Sequence, residues 1–101
     1  PSQIKGVVFI LIDTLRADHV SCLDASNVRT PRIDRLARQG VLFAQAISQA
    51  PWTCPSLGSI MTSQYPSVHG AGEAKQALTS SLPTLGEILS RAGWHTAAFV
   101  T

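Results

Sequence analysis

The chain has 101 residues, 45% of them hydrophobic and 14% charged, with a formal net charge of +2. That length holds one domain at most, and that balance excludes a highly charged, disordered chain. Arg29, Arg32, Arg35 and Arg38 supply half of the eight basic side chains, so the small positive excess gives no grounds for a nucleic-acid or membrane-surface partner.

The first element is KGVVFILID, Lys5 to Asp13, apolar on both faces and rich in β-branched residues. An apolar run without alternation suits a central strand of a parallel sheet, which helices cover on both sides. Residues 14–29 keep no period and read as a loop. Thr30-Pro31 then opens a helix, with Thr30 as N-cap and Pro31 in the first helical position. Ile33, Leu36 and Ala37 form its apolar stripe, and Gly40 is expected to close it as a left-handed cap. Residues 41–47 read as a second strand. Pro51 and Pro55 are expected to bracket a break, followed by a short helix from Ser56 to Ser63. Residues 64–81, rich in Ser, Gly, Gln and Ala, read as a long surface loop. Pro83 opens a further helix through Arg91, with Leu85, Ile88, Leu89 and Ala92 as its stripe and Gly93 as its cap. Trp94 to Thr101 reads as a third strand. This alternation predicts an α/β fold in which helices pack on a mostly parallel sheet.

Cys22 and Cys54 make no disulfide framework and no CxxC pair. The longest apolar run, Val7 to Ile12, is too short to cross a bilayer. The compartment is left open, because the chain begins at Pro1 rather than at a methionine.

Few side chains are placed for chemistry. Asp13 stands at the carboxyl end of the first predicted strand, where open parallel sheets bind ligands, so it suits a metal ligand; capping the following turn is an equal alternative. Arg16 and Asp18 read as a local ion pair. Thr53 precedes a predicted helix N-terminus, where backbone N–H groups and the helix dipole favour an anion. It is placed as a nucleophile towards a sulfate or phosphate ester if a metal activates it, or as an ordinary N-cap. Cys54 beside it reads as buried and inert. His69 reads as a structural hydrogen-bonding residue, with His19 and His95 equally unspecific. Glu73 and Lys75 read as solvated, although Lys75 would meet an anionic substrate if its loop folds over the site.

Four blocks in order, ILIDTLRADHVSC, TPRIDRLARQGVLFAQAIS, APWTCPSLGSIMTSQYPSVHG and LPTLGEILSRAGWHTAAFV, resemble the N-terminal part of sulfatase-family enzymes of the alkaline phosphatase superfamily. The resemblance implies an alkaline-phosphatase-like α/β/α sandwich, of which residues 1–101 are expected to be the N-terminal portion of one catalytic domain. It implies metal-dependent hydrolysis or transfer of sulfate, phosphate or phosphonate esters, using a divalent ion (Ca, Mg, Mn or Zn). Asp13 takes the place of a metal ligand, although Thr14 stands where sulfatases usually carry a second Asp. Aligned on Pro55-Ser56, the Cys-x-Pro-Ser-Arg pattern puts Thr53 at the nucleophile and metal-ligand position and Leu57 in place of the Arg. Cys54 is one residue out of register, so formylglycine is not expected, and Thr53 is similar to the threonine of phosphodiesterase and phosphotransferase relatives. The implied partner is a small-molecule, glycan-linked or lipid-linked sulfate or phosphate ester. The family completes its metal site with residues far downstream, so this chain alone is expected to be inactive. A non-catalytic remnant of the same fold is the alternative.

Overall fold

The computed structural model describes residues 4–24, 28–72 and 77–100, and the chain divides into two units, Pro1–Ala46 and Ile47–Thr101.

The first unit holds a short 3-10 helix, Ala17–His19, and helix α1, Pro31–Gln39. Pro31 begins α1 because its fixed φ is already helical and its missing N–H would have no partner in the helix. Thr30 is the N-cap as predicted, yet its side chain caps no N–H of α1. It joins a closed circuit instead. The Thr30 N–H donates to Ser21 Oγ at 2.8 Å, and the Ser21 N–H donates to Thr30 Oγ1 at 3.0 Å. Both hydroxyls then donate to the Asp34 carboxylate, Ser21 at 2.7 Å and Thr30 at 3.1 Å. The Ser21 hydroxyl is the larger cause, ahead of Thr30, that holds the Asp34 carboxyl below the usual carboxylate range. Gly40 corrects the predicted left-handed cap: at φ −132° and ψ −147° the chain leaves α1 directly into extended backbone.

The second unit holds α2 (Thr53–Thr62), α3 (Pro66–His69) and α4 (Leu85–Arg91), with α2 packed against both α3 and α4. Helix α2 begins three residues before the predicted start at Ser56. Pro55 does not break it, because a proline in the first turn removes an N–H that has no intrahelical acceptor. The predicted loop over 64–81 is corrected in part: Pro66 opens α3, and Gly70, at φ +78°, closes it with its N–H on Pro66 O at 3.1 Å. Helix α4 starts at Leu85, with Thr84 and Glu87 forming a reciprocal capping box. Its end agrees with the expectation for Gly93. At φ +87° this residue lets the Trp94 N–H reach Leu89 O at 3.0 Å, which closes a Schellman motif.

The predicted strands are the principal departure. Among the described residues there is no β-strand: Lys5 to Asp13, 41–47 and 94–100 run as extended or turning chain without a ladder. A strand exists only where neighbours take up its N–H and C=O groups, and a parallel strand also needs helices over both faces. Neither condition is met here. Val8 is 85% exposed and Phe99 97%. The buried hydrophobic side chains among the described residues are those of Val20 and Ala71.

Candidate functional site

The best-built part of the molecule is the first turn of α2. Trp52 enters it with extended backbone (φ −139°, ψ 165°), and the Ser56 N–H donates to Trp52 O at 3.3 Å. The Ser48 hydroxyl donates to Ala50 O at 2.7 Å, so the Ser56 hydroxyl must be the donor in its 2.8 Å contact with Ser48 Oγ. These bonds tie the segment before α2 to its first turn. Thr53 is the first helical residue rather than the residue before the helix, and it is exposed. Cys54 follows it and is also exposed, against the expectation of a buried thiol. The N-terminal end of α2 carries the positive end of the helix dipole, which favours an anion.

Against the other side of this turn lies His69, with 0% of its surface exposed. Its Nδ1 accepts the Ala71 N–H at 3.1 Å, so that nitrogen is unprotonated and the ring proton sits on Nε2. From there Nε2–H donates to Pro55 O at 3.1 Å and lies 3.1 Å from Ser59 Oγ. The ring lies flat on Gly58, where a Cβ would stand 2.7 Å from His69 Cε1. The structural reading of His69 holds, but nothing near it in the sequence marks what it grips. The available signal was Gly58, since a glycine inside a helix often marks a close approach.

Asp13 belongs to the first unit and is exposed; its Oδ1 accepts the Thr14 N–H at 2.9 Å, with Thr14 left-handed at φ 55°. Glu73 and Lys75 lie outside the described residues. Arg16 pairs with Asp18 through two hydrogen bonds of 3.0 and 2.6 Å, and His19 Nδ1 adds a third contact at 3.0 Å. Arg16 first, then His19, lowers the Asp18 carboxyl to about 2. The pair is exposed and contributes little to stability.

Among the described residues no three His, Cys, Asp or Glu side chains come together to hold a metal ion. Asp13 and Thr53 offer one carboxylate and one hydroxyl, whereas zinc takes about three or four protein ligands and calcium or magnesium about six oxygens. By themselves, the described residues do not fit a divalent ion. No helix among them is long and apolar enough to cross a membrane.

The sulfatase family profile matches residues 5–100. This chain belongs to the sulfatase family. It is 32% identical over 100 residues to an N-acetylgalactosamine-6-O-sulfatase of Bacteroides thetaiotaomicron, an alignment covering 94% of the chain and 20% of that relative. It is 33% identical over 92 residues to an ulvan-active sulfatase of Formosa agariphila, covering 91% of the chain and 18% of the relative. The steryl-sulfatase of Mus musculus is 37% identical over 59 residues, which cover 58% of the chain and 10% of that enzyme. The chain therefore spans about a fifth of the length of the curated relatives that it matches most fully. No solved structure matches it. Membership of the sulfatase family implies the alkaline-phosphatase-like α/β fold, and the family generally uses a divalent metal.

Proposed function

We propose that this chain carries the nucleophile turn of a sulfate-ester hydrolase, with Thr53 as the nucleophile. The observation that carries this reading is the place of Thr53: an exposed hydroxyl residue at the first position of a ten-residue helix, in register with the Cys or Ser nucleophile of the sulfatase pattern. An anionic sulfate group at this end of α2 is favoured by the helix dipole. Attack by Thr53 Oγ1 on sulfur breaks the S–O bond to the departing alcohol, and transfer of the sulfuryl group to water completes hydrolysis.

Asp13 is proposed as one ligand of a divalent ion and Lys75 as a contact to the substrate anion, with the other ligands supplied by protein beyond these residues. In that larger domain, 5–13, 41–47 and 94–101 pair into the parallel sheet that their composition suits. The proposed substrate is an O-sulfated saccharide, because the relatives named for N-acetylgalactosamine-6-O-sulfate and ulvan align with more than nine-tenths of the chain, whereas the steryl-sulfatase aligns with 58% of it.

A second reading, a phosphate or phosphonate ester as substrate, is favoured by Thr53 at the nucleophile position, while Leu57 in place of the usual Arg and Thr14 favour the non-catalytic alternative. Assaying the full-length gene product against matched aryl sulfate, phosphate monoester, phosphate diester and phosphonate, together with a 6-O-sulfated hexosamine, tests both. Sulfate-ester turnover exceeding the phosphorus esters supports the first reading. Faster turnover of a phosphorus ester supports the second, and no turnover of any of them supports the non-catalytic alternative.

A further inference from the structure

We infer that His69 is a positioning residue for the nucleophile: a buried latch that fixes the first turn of α2, and so the place of Thr53, through the Pro55 carbonyl. This rests on Thr53 being the nucleophile.

The geometry is unusually determined for a neutral side chain. His69 is fully enclosed, and each ring nitrogen has an assigned partner. The acceptor nitrogen is anchored on the Ala71 N–H, just after α3, and the donor nitrogen on the Pro55 carbonyl, two residues after Thr53. In a helix that carbonyl already accepts from the N–H four residues on, and its second lone pair is what His69 takes. The ring thus bridges the end of α3 to the first turn of α2 without occupying either of the exposed positions, Thr53 and Cys54. Gly58 permits the bridge, because any Cβ there would meet the ring at 2.7 to 3.1 Å. The turn is also held by the Ser48–Ser56 contact. A hydroxyl that must meet sulfur in line gains from such a clamp, since a misplacement of about 1 Å can cost about 100-fold in rate.

The two amide replacements of histidine separate the latch from a general structural role. The Asn side chain places its oxygen where Nδ1 stands and can keep the Ala71 bond, but it cannot reach Pro55. The Gln side chain places its NH₂ near Nε2 and can keep the Pro55 bond. In the full-length gene product acting on an aryl sulfate, His69→Asn is expected to lower kcat about 10- to 100-fold with KM little changed. His69→Gln is expected to restore most of that loss. A purely structural histidine would lower the folded fraction in both variants while leaving the kcat of the folded enzyme intact, and that result overturns the inference. So does a kcat in His69→Asn equal to or above that of His69→Gln. The ring nitrogens of the unmutated protein give a readout that needs neither activity nor a folded variant. Nitrogen chemical shifts showing a protonated Nε2 and a bare Nδ1 support the latch, and the opposite tautomer overturns it. Absence of sulfate-ester turnover in the unmutated protein counts against the hydrolase reading instead, so the two failures are told apart.

Discussion

Replacing Gly58 by alanine is expected to destabilise the second unit, against the ordinary direction of that substitution. Inside a helix, Gly→Ala normally stabilises by about 1 kcal/mol through backbone entropy and helix propensity. Here the added Cβ would lie 2.7 Å from His69 Cε1, 3.0 Å from Nδ1 and 3.1 Å from Nε2. The obstacle is a whole ring, fully enclosed and bonded at both ends, so it cannot swing aside as the tip of a flexible side chain would. Overpacking of this kind costs about 1 to 3 kcal/mol, and displacing the ring weakens its bonds to Pro55 and Ala71, about 1 kcal/mol each. The sum outweighs the propensity gain and leaves a net loss of about 2 to 4 kcal/mol. Hydrogen exchange of the amides in the second half of α2 reads this locally, where about 1.4 kcal/mol appears as a tenfold change in exchange. Pairing Gly58→Ala with His69→Ala should recover part of the loss, because the second change removes the object of the clash. Slower exchange in Gly58→Ala alone would refute the placement of His69 against α2.

Three further outcomes follow from the same contacts. Thr84→Ala removes the acceptor of the Glu87 N–H at 3.3 Å and is expected to cost α4 about 1 kcal/mol, read as faster amide exchange in its first turn. Ser21→Ala removes the largest cause of the low Asp34 carboxyl, so an NMR titration should find that group moved up towards its ordinary value, with Asp18 unmoved. The carboxyls of Asp18, Asp34 and Glu87 are all lowered on folding, so their stabilisation is present above the unfolded-state values and is lost as pH falls through the folded ones. Denaturation midpoints should therefore decline below about pH 5, with the Asp18 share persisting until about 2 and shrinking in added salt.

Local signals were legible where the physics is local. Pro31 after Thr30, the Thr84–Glu87 pair and Gly93 each mark a helix end through groups a few residues apart, so the sequence carries the whole interaction. The predicted break at Pro55 failed because the ring costs a helix nothing in its first turn. The predicted strands differ: none forms a ladder among the described residues. Their composition states a demand for neighbours on two edges and two faces, and the described residues do not supply them. Thr53 was legible only through the sulfatase pattern around Pro55-Ser56, because a hydroxyl beside a helix start reads equally as an ordinary N-cap. The role of His69 was not legible, because its meaning lies in a carbonyl and a glycine on a helix more than ten positions away, brought close only by the turn at Ser63 and the short α3.

The central claim is that Thr53 attacks the ester. The most direct measurement is single-turnover kinetics of the full-length gene product on an aryl sulfate, comparing the unmutated protein with Thr53→Ala and Thr53→Ser. Thr53→Ala is expected to lose about 10⁴-fold or more in rate while its circular dichroism and thermal midpoint stay unchanged, and Thr53→Ser, which keeps a hydroxyl, is expected to retain measurable turnover. A folded Thr53→Ala protein that still turns over the sulfate at a near-normal rate would contradict it.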